Sequence, residues 1–145
     1  PKILISYNCV EKKYQKKEIQ NIKYLLEQLL IFKLDIVIKL HPMKKDQYIL
    51  NIVKKLNSNQ IFFSSKNLKQ LLSDNVKVHI CSTRTAAITY SNFYRIPTFG
   101  FIQCDRGYDP KSFQIQNNLV KPIKNFNHFK KDIYLILKGD KRILN

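Results

Sequence analysis

Short apolar runs rich in β-branched residues alternate along the chain with longer segments in which hydrophobic residues recur every three or four positions. The apolar runs predict strands, and they cover residues 2–7, 35–40, 60–64, 76–81 and 97–102. The three- and four-residue spacing predicts amphipathic helices, which cover residues 15–32, 46–56, 67–72, 83–94 and 125–139. Asn67 is expected to cap the third helix at its start and Gly139 the last helix at its end.

The alternation of strands and helices predicts right-handed βαβ crossovers, which build a parallel sheet covered by helices on both faces. We therefore expect an α/β fold whose Rossmann-like parallel sheet has about five strands. The 145 residues correspond to a single domain. Because Pro1 is an unusual first residue, we expect that domain to be a fragment of a longer, two-domain enzyme. The one long irregular stretch, residues 103–118, has a length that is often functional.

Glycine and cysteine usage excludes several familiar kinds of site. The chain has three glycines, so it carries neither a GxGxxG dinucleotide loop nor a GxxxxGK[ST] phosphate loop. It also has no GxSxG motif and no close acidic pair of the glycosidase kind. The three cysteines, Cys9, Cys81 and Cys104, form no CxxC pair. This spacing argues against a zinc ribbon or a disulfide framework and favours a reducing cytoplasm.

Two of the three histidines are expected to have no chemical role. His79 lies within an apolar strand and is expected in the core, whereas His128 lies on the last helix and is expected in solvent. Neither histidine has metal-ligand spacing with a cysteine or a carboxylate. No metal ion and no other cofactor is therefore predicted.

Charge is the strongest signal of the composition, because 26 Lys and Arg residues stand against 10 Asp and Glu residues, a net charge of +16. Such a field attracts phosphates, nucleic acid or anionic lipid headgroups without distinguishing among them. The segment 11–17, in which Tyr14 lies among four lysines, is suited to an anionic membrane surface. Residues 128–131 form a second basic cluster. A solvated surface rich in lysine is the alternative interpretation of both segments.

Polar residues follow the predicted strands at the end where open parallel sheets bind ligands. They are His41 and Pro42 after the second strand, Ser64 and Ser65 after the third, and Ser82, Thr83, Arg84 and Thr85 after the fourth. Because proline forces the preceding residue into extended geometry, His41 is expected at the strand tip. There its imidazole can bond a phosphate oxygen or protonate a leaving group. An ordinary surface histidine in a strand-ending turn is the alternative.

The polar residues after the fourth strand, Ser82, Thr83, Arg84 and Thr85, surround the predicted start of a helix. Free N–H groups and the helix dipole favour an anion at such a position. An N-cap accounts for one of the three hydroxyls, but not for all three together with an arginine. These residues and His41 therefore predict a phosphate clamp. In the next strand, Gly100 is expected to allow a close backbone approach for structural reasons.

Three motifs in this order, KLHP at 39–42, STRTAA at 82–87 and RIPTFGF at 95–101, resemble the C-terminal half of GT-B glycosyltransferases that carry an HP motif. These families include bacterial sialyl- and polysialyltransferases, Kdo transferases of capsule synthesis and CDP-glycerol polymerases of teichoic acid synthesis. The resemblance covers residues 2–102. Some relatives have paired serines where this chain has Ser82 and Thr83. No Glu follows Ser82 as in many UDP-sugar enzymes, which favours CMP- or CDP-linked donors.

The resemblance implies the donor-nucleotide-binding domain of a glycosyltransferase that builds a bacterial capsule or lipooligosaccharide, with a CMP-sugar of sialic acid or Kdo as its donor substrate. His41 would contact the donor phosphate and help the nucleotide leave, and Ser82 and Thr83 would bond the same phosphate. Ser64 and Ser65 would lie beside the base or ribose. The catalytic base would come from an N-terminal domain.

The acceptor would be a saccharide or a lipid-linked saccharide, and the basic surface would seat the enzyme at the inner face of the membrane. Two other functions remain open. A CDP-glycerol glycerophosphotransferase shares the HP motif, and a non-catalytic basic α/β module could bind nucleic acid. The chain lacks a recognisable RNA or DNA motif and a stripe of basic and aromatic residues on one element, so the transferase is favoured.

Overall fold

The computed structural model describes residues 1–41, 47–83, 85–105 and 107–139. The strands in these ranges are β1 (Lys2–Tyr7), β2 (Asp35–Leu40), β3 (Ile61–Phe63), β4 (Val76–Ser82), β5 (Thr98–Phe101) and β6 (Lys121–Pro122). The helices are α1 (Lys12–Leu30), α2 (Gln47–Leu56), α3 (Leu68–Leu72), α4 (Ala87–Phe93), α5 (Phe113–Gln116) and α6 (Phe126–Leu137). The predicted α/β alternation is confirmed.

The six strands form one sheet in the order β3-β2-β1-β4-β5-β6, and every neighbouring pair is parallel. The chain builds outward from β1 through β2 and β3, then crosses to β4 on the other side of β1. The topological switch point of the sheet therefore lies between β1 and β4. Tyr7 is in register with Leu40, and Ser82 with Phe101. We call the edge at which these four residues end their strands the carboxyl edge.

Helices cover both faces of the sheet, as predicted. On one face, residues such as Ile3 and Ile5 of β1 pack in a core that includes buried residues of α1, α2 and α6. On the opposite face, Leu4 packs with Leu71 and Leu72 of α3. The alternation of side chains along each strand sends successive residues to these two layers. None of the helices in the described ranges has both the length and the apolar character needed to span a bilayer.

The helix predicted to begin at residue 83 begins instead at Ala87. The reason is that β4 runs on to Ser82, which pairs with Phe101, so the chain turns only after that residue. The stretch 103–118, predicted to be irregular, contains the short helix α5. The sixth strand was not predicted, because β6 consists only of Lys121 and Pro122 and has no apolar run.

The predicted helix caps are confirmed. The Asn67 side chain accepts a hydrogen bond from the Gln70 N–H at 2.8 Å, and Gln70 Oε1 accepts one from the Asn67 N–H at 3.2 Å. This reciprocal capping box fixes the start of α3. Gly139 follows α6 with a φ of 83°, the left-handed conformation that glycine adopts without strain at a helix end.

Candidate functional site

Ser82 and Thr83 lie at the switch point of the sheet, where β4 ends beside β1. The two residues are 6% and 3% exposed, so only a small part of each is accessible to solvent. Loops after β1 and β4 leave this point toward α1 and α4, which belong to opposite layers. A crevice between two such loops is where open α/β sheets bind their ligands. The structure thus places these two residues, which the sequence predicted to bind a phosphate, at the switch point of the sheet.

The position of Thr83 depends on Gly100 of the neighbouring strand. A Cβ atom at position 100 would clash with Thr83 Cγ2, and it would lie 3.2 Å from Val120 Cγ2 and 3.4 Å from Thr83 Cα. The absent side chain of Gly100 therefore leaves the space that the Thr83 methyl group occupies. The close approach predicted at Gly100 is confirmed: Thr83 packs against this residue, and the lack of a side chain leaves space for the Thr83 methyl group.

Thr85 acts as a local cap of α4. Its Oγ1 accepts a hydrogen bond from the Ala87 N–H at 3.3 Å, and its carbonyl accepts one from the Ile88 N–H at 3.2 Å. Because α4 begins at Ala87, Ser82 and Thr83 precede the helix by a full turn of chain rather than forming its first turn. Arg84 lies outside the described residues, so its predicted role remains a prediction.

His41 follows β2 and is exposed. Its N–H donates to the Tyr7 carbonyl at 3.0 Å, which holds the backbone of His41 against the end of β1. His41 and Ser82 flank β1 from opposite sides, and two strand spacings separate their backbones by about 10 Å. Pro42, the other half of the HP motif, lies outside the described residues.

Ser64 and Ser65 lie farther from the switch point, beyond the end of β3. The Ser64 N–H donates to the Ile38 carbonyl at 3.0 Å, which extends the pairing of β3 with β2. Ser64 Oγ accepts from the Lys66 N–H at 3.2 Å, and Ser65 is exposed. The structure places these serines on the same edge as His41, but not beside Ser82.

A fully buried carboxylate beneath the carboxyl edge was not predicted. Glu18 of α1 has no exposed surface. Its Oε2 accepts from Tyr7 Oη at 2.7 Å and from Gln103 Nε2 at 2.9 Å, and its Oε1 accepts from the Cys104 N–H at 3.2 Å. The sequence did contain a signal, because Glu18 falls on the helical stripe whose other members, Ile22, Leu25 and Leu29, are buried.

The hydrogen bonds of Glu18 extend into a wider network. Tyr48 Oη lies 2.6 Å from Tyr7 Oη and accepts from the Val10 N–H at 2.9 Å, while Gln103 Nε2 also donates to the Asn8 carbonyl at 2.6 Å. We call Glu18, Tyr7, Tyr48 and Gln103 the Glu18 network. Burial raises the pKa of Tyr7, and the Glu18 charge raises it further. Burial likewise raises the pKa of Tyr48, so both phenols keep their protons.

His79 lies in the core, as predicted. Its Nε2 is 2.7 Å from Ser6 Oγ, and within the described part of the chain its Nδ1 is buried without a hydrogen-bond partner. Burial lowers the pKa of His79 to about 3, so the ring is neutral at physiological pH. His128 is exposed on α6, as expected. Across the described ranges, no group of three or more His, Cys, Asp or Glu side chains could hold a metal ion.

A basic groove lies where the start of α1 approaches Cys104. It has a volume of about 440 Å³. Its lining residues are Lys13, Tyr14, Lys16, Lys17, Gln20 and Cys104. The Lys13 ammonium group is 5.0 Å from the Tyr14 ring centroid, within the range of a cation–π contact.

Solved structures with the fold of this chain include two of the spinosyn rhamnosyltransferase SpnG. The structure complexed with spinosyn aglycone superposes with a TM-score of 0.64 at 13% identity. The structure complexed with thymidine diphosphate superposes with a TM-score of 0.56 at 16% identity. Each match covers 99% of this chain and 38% of the SpnG chain, so the chain spans little more than a third of the length of that enzyme.

No family profile matches the sequence, and no curated protein matches it significantly. The likeness to SpnG therefore concerns the fold, in which a parallel, Rossmann-like sheet carries helices on both faces. The chain has the fold of one half of a GT-B glycosyltransferase.

Proposed function

We propose that this domain binds the nucleotide of a sugar donor in the crevice between β1 and β4, as the donor-binding half of a glycosyltransferase. The observation that carries the proposal is the position of Ser82 and Thr83 at the switch point of a sheet with the GT-B half-domain fold. Ligands of this class of sheet bind at that point, and hydroxyl groups there are suited to phosphate oxygens.

In this proposal His41 approaches the donor phosphate from the other side of β1. The spacing of about 10 Å between the backbones of His41 and Ser82 leaves room for a phosphate group hydrogen-bonded from both sides. A protonated imidazole would stabilise the leaving nucleotide. Ser64 and Ser65, farther along the same edge, would lie beside the base or ribose. In this proposal the contacts with the phosphate come from His41 and the two hydroxyl groups, without a metal ion.

The donor we propose is a CMP-sugar, of sialic acid or Kdo, used in the synthesis of a bacterial capsule or lipooligosaccharide. The HP motif and the lack of a Glu after Ser82 favour a cytidine donor. SpnG was solved with thymidine diphosphate, which supports a pyrimidine nucleotide in this fold. CDP-glycerol is the alternative donor, because glycerophosphotransferases share the HP motif.

Calorimetry with CMP, CDP, UMP, UDP and TDP tests the proposal. We expect the cytidine nucleotides to bind most tightly and His41→Ala to weaken their binding by roughly tenfold, which corresponds to the loss of one charge-assisted contact. His128→Ala removes another exposed histidine and is the matched control. Negligible binding of all five nucleotides by the folded protein would contradict the proposal.

We also propose that sugar transfer requires a second domain. In GT-B enzymes of the kind this sequence resembles, the acidic catalytic base comes from the N-terminal half. We therefore expect the 145 residues alone to bind donor without transferring sugar. A radiolabelled-donor assay on this chain checks the expectation, and turnover above the buffer control would contradict it.

We propose anionic lipid, contacted at the membrane surface, as a second partner. Lys12, Lys13, Lys16 and Lys17 lie in the first turns of α1, where the only acidic residues are Glu11 at the N-cap and Glu18. Like charges four residues apart repel each other, and the positive end of the helix dipole adds to the repulsion. An anionic surface would relieve both effects, and Tyr14 would lie at its headgroup level.

Co-sedimentation with phosphatidylserine vesicles tests this contact. Changing Lys12, Lys13, Lys16 and Lys17 to Gln should abolish binding, and rising salt should weaken it in the unmodified protein. The control changes four exposed lysines elsewhere to Gln, namely Lys54, Lys55, Lys77 and Lys111. Equal losses in the two variants would show that only total charge matters and would contradict a specific membrane contact at α1.

A further inference from the structure

Glu18 places a carboxylate where the helical pattern calls for an apolar side chain. Its neighbours on the buried stripe of α1 are leucine and isoleucine, yet Glu18 has no exposed surface. No lysine or arginine in the described ranges forms an ion pair with it. Burying a carboxylate without a cation is costly, and an apolar side chain at such a position often stabilises a fold better. Breaks in a local pattern of this kind are expected mainly at functional sites.

The hydrogen bonds that link Val10, Tyr48 and Tyr7 to Glu18 all donate toward the Glu18 carboxylate. Tyr7 donates its single proton to Glu18, so in the short Tyr7–Tyr48 contact Tyr48 must be the donor. Tyr48 in turn accepts from the Val10 N–H. The result is a chain of donors from the backbone of residue 10 to Glu18, and such chains strengthen cooperatively.

The Glu18 network joins two segments of the carboxyl edge to each other. The first segment, residues 8–10, follows β1 and is reached through Tyr48 and through the Asn8 carbonyl, which accepts from Gln103. The second segment, residues 103–104, follows β5 and bonds to Glu18 directly. Three donors point at the carboxyl group and each of its oxygens acts as an acceptor, which suits an ionised carboxylate.

We propose that Glu18 is a positioning residue of the nucleotide site, whose carboxylate holds the segments after β1 and β5 in the geometry that donor binding needs. The proposal rests on the proposed function for its ligand. Residues 8–10 directly follow β1 at the edge where the nucleotide is proposed to bind, and the Tyr7 carbonyl accepts the His41 N–H. A displacement of Glu18 would therefore shift both residues 8–10 and the backbone of His41.

Glu18→Gln is the test substitution. Glutamine keeps the length of the side chain, but one carboxylate oxygen becomes an NH₂ group that faces the donors of Gln103 and Tyr7 or of Cys104. The new NH₂ group then faces another N–H or O–H donor instead of an acceptor. The resulting repulsion should move residues 103–104 away from residues 8–10. Glu27→Gln is the matched control, because Glu27 is an exposed glutamate on the same helix. Tyr48→Phe, which removes only the far end of the donor chain, serves if the first variant does not fold.

Two readouts distinguish positioning from stability alone. The first is the Kd for CMP and CDP, measured well below the unfolding midpoint of each variant. We expect Glu18→Gln to raise it by roughly tenfold, a change of about 1.4 kcal/mol. Tyr48→Phe should act in the same direction with a smaller effect, and Glu27→Gln should leave the Kd unchanged.

The second readout is the alkylation of Cys104 by N-ethylmaleimide. Cys104 is partly exposed, whereas Cys9 and Cys81 are buried, so it should react first. Burial raises the pKa of the Cys104 thiol, and the Glu18 charge raises it further. Glu18→Gln should therefore accelerate alkylation several-fold at a fixed pH near 8, because both the charge and the hydrogen bond to the Cys104 N–H are lost.

A folded Glu18→Gln variant with unchanged nucleotide affinity would overturn the positioning role, even if its midpoint of unfolding fell. If the unmodified protein binds no nucleotide, the proposed function fails by itself. The contact of Glu18 with residues 103–104 is then tested by the alkylation of Cys104 alone. A Glu18→Gln variant whose alkylation rate equals that of the Glu27→Gln control would overturn the positioning of these residues by Glu18.

Discussion

Substituting Gly100 by alanine should destabilise the protein through Thr83. The new Cβ would clash with Thr83 Cγ2 and would press on Val120 Cγ2 at 3.2 Å. Thr83, Phe99 and Phe101 around this position are all buried, so the neighbours have little room to move. Overpacking of this kind costs about 1–3 kcal/mol of unfolding free energy.

Thr83→Ser supplies the second arm of the test, because it removes the methyl group that the new Cβ would strike and keeps the hydroxyl. On its own it should cost about 0.8 kcal/mol for one buried methyl group. If the two changes were independent, the double variant would lose about 2–4 kcal/mol. We expect it to lose only about 1 kcal/mol, because Gly100→Ala then fills the space that Thr83→Ser leaves.

Urea unfolding of the four proteins of this cycle, followed by circular dichroism, measures the coupling. For a chain of this length, a loss of 1 kcal/mol also corresponds to a fall of about 2–4 °C in the midpoint of thermal unfolding. The reasoning is refuted if Gly100→Ala costs less than about 0.5 kcal/mol, the ordinary effect of a surface substitution. Strictly additive losses in the double variant would refute it equally, since Thr83 would then not be the side chain that Gly100 accommodates.

Three further predictions concern single residues. Burial lowers the folded-state pKa of His79 from 6.5 to about 3, so between these pH values the unfolded chain binds a proton that the folded chain does not. The free energy of unfolding should therefore fall by about 1.4 kcal/mol per pH unit as the pH drops from 6.5 toward 3. Unfolding titrations should show that His79→Asn loses this part of the slope, and parallel curves would contradict it. Asn67→Ala should cost about 1 kcal/mol in urea unfolding through loss of the capping box, whereas the exposed Asn59→Ala should be neutral. Ser91→Ala removes the buried hydroxyl that lies 2.7 Å from Thr98 Oγ1 and should cost about 1 kcal/mol; an unchanged midpoint would show that the contact contributes nothing.

The strand pattern was predictable because each interior strand of a parallel sheet is buried on both faces and reads as an apolar run. β1 and β2 were predicted at the residues where they occur. β6 could not be predicted in this way, since Lys121 and Pro122 carry no apolar pattern and pair only with Phe99 and Gly100. Its existence follows from tertiary pairing at the edge of the sheet, which local sequence does not encode.

The candidate site was predictable in part for a topological reason. Residues that follow parallel strands must meet at one edge, so the spacing of the apolar runs was enough to bring His41, Ser82 and Thr83 to the carboxyl edge. The strand order, which puts β4 beside β1, was needed to place Ser82 and Thr83 at the switch point. Glu18 was missed because its partners, such as Gln103, lie far away in the sequence. The helical stripe of α1 indicated that Glu18 faces the core, but only the packing of α1 on the sheet shows which residues it contacts there.

We propose that the crevice between β1 and β4 binds a cytidine nucleotide. Two-dimensional ¹H–¹⁵N NMR of the labelled protein, titrated with CMP and CDP, tests it most directly, because every backbone amide reports its own position. We predict saturable shifts for the amides of Asn8, His41, Ser82 and Thr83, with no shift for Tyr134 on the exposed surface of α6. An absence of saturable shifts, or shifts confined to residues away from the carboxyl ends of β1, β2 and β4, would contradict the claim.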